Sequence, residues 1–261
     1  MLLLLTGSFI LAVIIVYGLI LQITIINRQK KIAELRQDFT HAMVHNIKNP
    51  ITSILIGISS LKSCKIEDKP QMKEQHYKII TQESERILHL ANKVLAIARF
   101  EEQRVILSKQ AVNLSDLLGR LIEKYTVYAK KVHFYRTLNE VETIYADQDS
   151  IYEAFDNLID NAIKYSKETQ DVEIYITSLH SGNNTRIIFK DMGIGISGKD
   201  QKVIFRKFAR ASSVIKNVNK TNGFGLGLHF VFQVIKAHGG TIKVNSRLGS
   251  YSEFIINLPD K

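Results

Sequence analysis

The first 26 residues, Met1 to Ile26, carry no charged side chain. An α-helix rises about 1.5 Å per residue, so a run of this length can cross a hydrocarbon core of about 30 Å. No basic stretch precedes the run, its apolar part is longer than a signal-peptide core, and no small-residue cleavage site follows it. Residues 1–27 are therefore expected to form a membrane-spanning helix, not a cleaved leader. Arg28, Lys30, Lys31 and Arg36 come directly after, and the positive-inside bias assigns the rest of the chain to the cytoplasm. The expected location is the cell membrane, single-pass, with almost nothing on the far side. That leaves two options, a protein that senses within the membrane or the tail of a longer chain.

Composition limits the architecture beyond the span. With 261 residues and 45% apolar content the chain can build one or two cores, and a single cysteine, Cys64, excludes an intrachain disulfide scaffold. The formal charge of +10 suits an anionic membrane surface, a polyphosphate ligand or nucleic acid. No helix-turn-helix, zinc or RNA-binding signature accompanies the charge, so no nucleic-acid partner is expected.

From Ile32 to Leu61 and from Met72 to Glu102, charged and apolar residues alternate at helical spacing. Ile80, Ile87 and Val94 recur every seven residues with Ser84, Ala91 and Ala98 between them, a bundle seam. Ile32, Leu35, Phe39 and Ala42 form a similar stripe. The polar, proline-containing stretch Ser63 to Pro70 reads as the connection between two helical arms. One hairpin has little core of its own, so two hairpins are expected to pair into a dimeric four-helix bundle over residues 28–110.

Beyond about Gln110 strands and helices mix. Helices are expected at Leu114–Tyr128, Ser150–Tyr165 and Leu226–Ala237, and strands at Val132–Leu138, Val172–Leu179, Thr185–Lys190, Thr241–Ser246 and Glu253–Leu258. These elements come in runs, so residues 111–261 are expected to form an α+β sandwich with helices on one sheet face.

Eight of the 14 glycines lie between Gly193 and Gly240. Asp191-Met192-Gly193-Ile194-Gly195-Ile196 and Gly223-Phe224-Gly225-Leu226-Gly227-Leu228 would let backbone N–H groups approach a phosphate chain, and the second opens a helix whose N-terminus favours anions. Lys199, Lys202, Arg206, Lys207, Arg210, Lys216 and Lys220 form a basic segment between them. Upstream, Asn157, Asn161 and Lys164 share one helix face at i, i+4 and i+7. Amide oxygens are hard ligands suited to Mg²⁺, and a lysine can meet phosphate oxygens.

In this order, NLIDNAIKYS, DMGIGI, IFRKFAR and GFGLGL, followed by HGGTIKVNS, resemble the ATP-binding boxes of bacterial transmembrane sensor histidine kinases of two-component systems. The stretch from Phe39 through His45, Asn49 and Pro50 resembles the phosphoacceptor box of the same family. The resemblance runs from about Arg28 to the C-terminus. It implies a HisKA-type dimerisation domain and a Bergerat-type ATP-binding fold, with ATP and Mg²⁺ as cofactors. It also implies a homodimer that phosphorylates itself and passes the phosphoryl group to the receiver domain of a separate response regulator. By the same resemblance His45 is the nucleophile, and Asp191 accepts the adenine amino group. Gly193, Gly195, Gly223, Gly225, Leu226 and Gly227 shape the nucleotide loops. Asn161 is the Mg²⁺ ligand with Asn157 close by, Lys164 meets phosphate, Tyr165 lines the pocket, and Phe205 and Phe208 anchor a lid. A histidine unprotonated near neutral pH fits the nucleophile role on chemical grounds. His41, one turn away, is the rival, and it stands at the wrong register relative to Pro50. Pro50 removes a backbone donor inside the helix and is expected to bend it next to His45.

The residue after the phosphoacceptor is usually acidic in this family, and here it is Asn46. An amide can orient the imidazole but cannot take a proton. A general base typically contributes about 10²- to 10⁴-fold, so slow autophosphorylation is expected. Asn49 matches the position that orients water against the regulator's phosphoryl group. The alternative reading is therefore a phosphatase-biased or kinase-impaired ATP-binding scaffold.

Overall fold

A computed structural model of the chain describes residues 2–63, 69–102, 105–126, 131–139, 141–167, 171–209 and 225–260. It divides into two compact units, Met1–His45 and Asn46–Lys261. The first unit lies within helix α1 (Leu2–Lys62), which starts in the apolar run. Among the described residues, no helix is long and apolar enough to cross a membrane. The span expected over residues 1–27 falls in a stretch where the side chains at positions 2–5, 8, 10, 12 and 13 lie outside the described residues. Those that are described, among them Phe9, Leu11, Ile14, Val16 and Ile20, stand exposed.

In the second unit α1 continues as helix to Lys62 with Pro50 inside it. Helix α2 (Pro70–Glu101) runs back beside it, opened by Pro70 in its first turn, where a missing N–H costs nothing. Gly57 is buried at the crossing, and a Cβ there would sit 3.0 Å from Ile80 Cγ1. The expected hairpin therefore forms, with one of its seam residues against a glycine. The buried positions of α2 are Leu90 and Ile97, and Ile80, Ile87 and Val94 are half-buried. Seven residues, 102–108, separate α2 from the first strand.

The α+β part holds two sheets. Strands β1 (Lys109–Asn113) and β3 (Thr143–Asp147) pair antiparallel in a two-stranded sheet. Strands β2 (Val132–Leu138), β4 (Val172–Ser181), β5 (Asn184–Asp191), β6 (Thr241–Arg247) and β7 (Tyr251–Pro259) make the main sheet in the order β2-β4-β5-β7-β6. Only the β2–β4 pair is parallel. Helices α3 (Leu114–Thr126), α4 (Gln148–Lys164) and α6 (Gly227–Ala237) contribute the facing core, and a short α5 (Gly198–Gln201) follows β5. Alternation fixes the buried face: Ile174 and Ile176 of β4, Ile187 and Phe189 of β5, and Phe254, Ile256 and Leu258 of β7 point inward. Phe155 of α4 packs on Phe189 with ring centroids 4.9 Å apart.

The elements expected from Val132 onward are all present, within one or two residues at most ends, and β1 and β3 are additional. Helix α2 also reaches the α+β part. Phe100 meets Phe230 of α6 edge-on at 5.8 Å, and Ile97 is fully buried.

Candidate functional site

Helix α4 is the central scaffold. Asp147 caps it, its carboxylate accepting from the Ser150 N–H, which satisfies one of the orphan donors of the first turn. The apolar set Ile151, Ala154, Phe155, Leu158, Ile159 and Ala162 turns one face to the core. That orientation carries Asn157 inside and leaves Asn161 half-buried beside it. The two asparagines converge on the start of α6: a Cβ on Gly227 would lie 3.1 Å from Asn157 Oδ1 and 3.8 Å from Asn161 Nδ2. A side chain at position 227 would crowd the Asn157 oxygen and touch the Asn161 amide. Lys164, the third member of the expected face, is exposed and pairs with Asp160 at 2.5 Å. Tyr165 is the C-cap of α4, and its carbonyl accepts from the Ile194 N–H at 3.0 Å, tying α4 to the first glycine loop.

Asp191 closes strand β5. Period two places Thr185, Ile187, Phe189 and Asp191 on the same inward face, so the carboxyl is carried into the core by the strand that holds it. It accepts from the Gly193 N–H at 2.9 Å. Ser252 stands opposite it in register on β7 and hydrogen-bonds its side chain. Burial nonetheless dominates and pushes the carboxyl up to about 6, because desolvation penalises the charged form more than these donors favour it. A shallow cleft opens beside it, lined by Ala162, Ser166, Lys167, Asp171, Val172, Glu173, Asp191, Met192 and Gly193. A buried hydrogen-bonding acid beside a concave site is the kind of group that fixes the orientation of a ring carrying an exocyclic amine.

The glycine loops fit backbone against backbone. Gly195 has φ +66, and a Cβ there would lie 2.1 Å from the Arg247 carbonyl oxygen, so no other residue suits the position. Gly193 approaches the Tyr165 carbonyl, and Gly225 approaches the backbone of Phe208. Phe208 itself has φ +67, uncommon for a bulky residue. Leu226 is buried at the N-cap of α6. Gly223 and residues 210–222, including Arg210, Lys216 and Lys220 of the basic segment, lie outside the described residues. So do the side chains of His45 and Asn46, whereas Asn49 stands exposed on α1 four residues beyond His45. The structure thus brings Asn157, Asn161 and Gly227 together, and Tyr165, Asp191 and Gly193 together.

Three contributors were not anticipated from the sequence. His229, buried on α6, bonds the Phe205 carbonyl through Nδ1 at 2.9 Å and so ties α6 to the loop carrying Phe205 and Phe208. His238, buried at the end of the same helix, bonds the Val234 carbonyl through Nδ1 at 2.8 Å and accepts at Nε2 from the Asp147 N–H at 2.9 Å, which links α6 to the cap of α4. Burial lowers its pKa. The third is Lys93 of α2, whose ammonium donates to Asn157 Oδ1. Desolvation lowers its pKa first, with Lys164 acting in the same direction and Asp160, Glu153 and Asp156 opposing.

Among the described residues no group of three or more His, Cys, Asp or Glu side chains could hold a metal ion. A Mg²⁺ ion here would depend on amide oxygens and on the ligand's own phosphates, which is how Mg²⁺ is commonly held. The converging amides Asn157 and Asn161 fit that arrangement.

Comparison with known proteins is consistent with this geometry. Residues 146–261 match the histidine kinase-, DNA gyrase B- and HSP90-like ATPase family, and residues 35–103 match the His Kinase A phospho-acceptor domain. Sensor protein RprX of Bacteroides fragilis is 32% identical over 255 residues, covering 97% of this chain and 49% of RprX. The chain thus spans about half the length of that relative. Among solved structures, the histidine kinase AdeS of Acinetobacter baumannii matches with a TM-score of 0.62 at 21% identity, over 83% of this chain and 98% of that one. Histidine kinase ThkA in complex with the response regulator TrrA matches with a TM-score of 0.56 at 23% identity, over 86% of this chain and 61% of that one. At these identities the two structures establish a shared fold.

Proposed function

Given that the chain belongs to the sensor histidine kinases of two-component systems, we propose that it is an ATP-dependent protein histidine kinase that phosphorylates His45. A ring nitrogen of His45 attacks the γ-phosphorus, the bond to the β–γ bridging oxygen breaks, and ADP leaves with the electron pair. The phosphoryl group then passes to an aspartate of a separate response regulator. Asp191 accepts the adenine amino group, Tyr165 and Gly193 wall the ring, and Gly195, Gly223, Gly225, Leu226 and Gly227 form the phosphate loops. Lys164 exchanges Asp160 for phosphate oxygens, and Phe208 anchors the covering segment. Bound Mg²⁺ would offset the charge that develops on the phosphoryl group, with Asn161 its protein ligand and Asn157 alongside. The observation that carries the reading is the convergence of Asn157 and Asn161 on Gly227 in the unit that also holds the buried Asp191 carboxyl.

The domain division that goes with this reading is a membrane span over residues 1–27, a dimerisation and phosphotransfer domain over 28–110 and the ATP-binding domain over 111–261. The two family matches fall inside the last two. The uncharged run Met1–Ile26 and its exposed apolar side chains support the span, and the basic residues after it support a cytoplasmic catalytic part. Exposed Leu88 and Leu95, seven residues apart on α2, support burial against a second copy.

Asn46 favours a second reading, in which the kinase is slow and the exposed Asn49 serves a phosphatase activity toward the regulator. The test follows γ-labelled phosphate from ATP with Mg²⁺ onto the chain, Asn46→Asp and His45→Ala. The expected result is acid-labile label on the first, at least tenfold more on the second and none on the third. Label that persists in His45→Ala removes His45 as the acceptor. Equal labelling with Asn46→Asp removes the argument from the missing base, and label found only with Asn46→Asp favours the second reading.

A further inference from the structure

Asn157 is engaged at both ends of its amide. Its Nδ2 donates to the Glu153 carbonyl at 2.7 Å, one turn back on α4, and its Oδ1 accepts from the ammonium of Lys93 on α2. This same oxygen is the one that faces Gly227 at the opening of α6. The Glu153 bond fixes which way the amide points, so the oxygen is aimed by α4 itself and not by the lysine. Glu153, Asp156 and Asp160 draw the ammonium toward this face, while Lys164 opposes it and His89 sits one turn earlier on α2, near Glu153. Lys93 of α2 thus meets Asn157 of α4, with His89 one turn back on α2 acting on Glu153 through its charge alone. Packing reinforces the arrangement, since Ile97 is buried one turn beyond Lys93 and Phe100 contacts Phe230.

We propose that Lys93 is a built-in cation seated on the nucleotide-side amide of Asn157, so that docking of α2 on α4 and binding of Mg²⁺–nucleotide compete. This rests on the ATP-binding reading above. An ammonium and a divalent ion at adjoining amides repel each other, and the Asn157 oxygen that holds the ammonium is not free to turn to the ion. Loading of Mg²⁺–nucleotide releases the lysine and loosens α2 from the ATP-binding part, while nucleotide without the metal leaves the contact in place. By reciprocity, whatever holds α2 down weakens metal–nucleotide binding by the same factor.

The test measures binding of a fluorescent, non-hydrolysable ATP analogue to the full chain and to Lys93→Met, each with Mg²⁺ and with EDTA. The methionine keeps the apolar stem and removes the charge. The expected result is binding about tenfold tighter in Lys93→Met with Mg²⁺ and unchanged binding in EDTA. Equal affinities with Mg²⁺, or the same change with and without the metal, overturn the proposal. Absence of binding to either protein overturns the ATP-binding reading with it. A second measurement needs no variant: hydrogen exchange of residues 89–97 in the unaltered chain should rise with Mg²⁺ and analogue together and not with analogue in EDTA. Exchange that stays flat, or rises equally in both, is the opposing result.

Discussion

Asp191 and His238 are two buried titratable groups whose effects on stability run in opposite directions. The Asp191 carboxyl is raised from 3.8 to about 6, which corresponds to roughly 3 kcal/mol. A raised acid is favoured in its protonated form on folding, so its stabilisation is present below pH 3.8 and is lost as pH rises through about 6. Above that the folded nucleotide-free protein buries a carboxylate whose hydrogen bonds from Gly193 and Ser252 do not offset its desolvation. Asp191→Asn should therefore raise the melting temperature of the nucleotide-free protein at pH 8, with the gain vanishing below pH 3.8, while abolishing nucleotide binding. Calorimetry at the two pH values tests the first half and titration with ADP the second. His238 behaves oppositely. Its ring is held neutral, donating at Nδ1 and accepting at Nε2, and burial lowers its pKa below 6.5. Its contribution is present above pH 6.5 and is lost as pH falls below that value. Replacement by Gln should flatten the stability of the protein between pH 7 and pH 5, read by thermal unfolding at each pH.

The site residues legible in the sequence are those whose spacing carries chemistry. Asn157, Asn161 and the glycines stand at intervals that a helix or a loop turns toward one ligand. Asp191 was legible as part of a motif, while its place as the last inward position of β5 came from the structure, the strand having been expected to end at Lys190. Lys93 and His238 were not legible, because their partners lie 64 and 91 positions away and nothing in the local pattern marks either residue. The one available signal was the basic pair His89 and Lys93, a turn apart on a helix otherwise read as bundle seam.

Among elements, strands β4, β5 and β7 could be read to within two residues because alternate side chains are buried along most of their length. Strands β1 and β3 escaped that reading. Five residues long, they bury only Val112 in one and Ile144 and Ala146 in the other, too few for a period to register. The hairpin of α1 and α2 depends on close approach at Gly57, where a Cβ would already touch Ile80 at 3.0 Å. Gly57→Leu should force the two helices apart and lower the unfolding temperature of the bundle, monitored by circular dichroism. Ile97→Ala removes a fully buried side chain from the underside of α2 and should cost about 2–4 kcal/mol, measured by denaturant unfolding.

At the scale of the whole molecule, the proposed dimer would cover the exposed apolar residues of α2. Leu88 and Leu95, 61% and 50% exposed, have no cover within one chain. Replacing both by Glu should turn a dimer into a monomer, read by sedimentation of residues 28–261. Seven residues join α2 to β1, which limits how far apart the two parts can lie. Fully extended, they reach roughly 25 Å, so an ATP-binding part released from α2 still roams a volume only that wide around the end of its own helix. Confinement of this kind corresponds to a local concentration in the millimolar range. Under the proposed function, encounter between nucleotide and phosphoacceptor would be set by chain connectivity and not by how many copies the cell makes. The rate of self-phosphorylation should hold steady under dilution until the bundle itself comes apart.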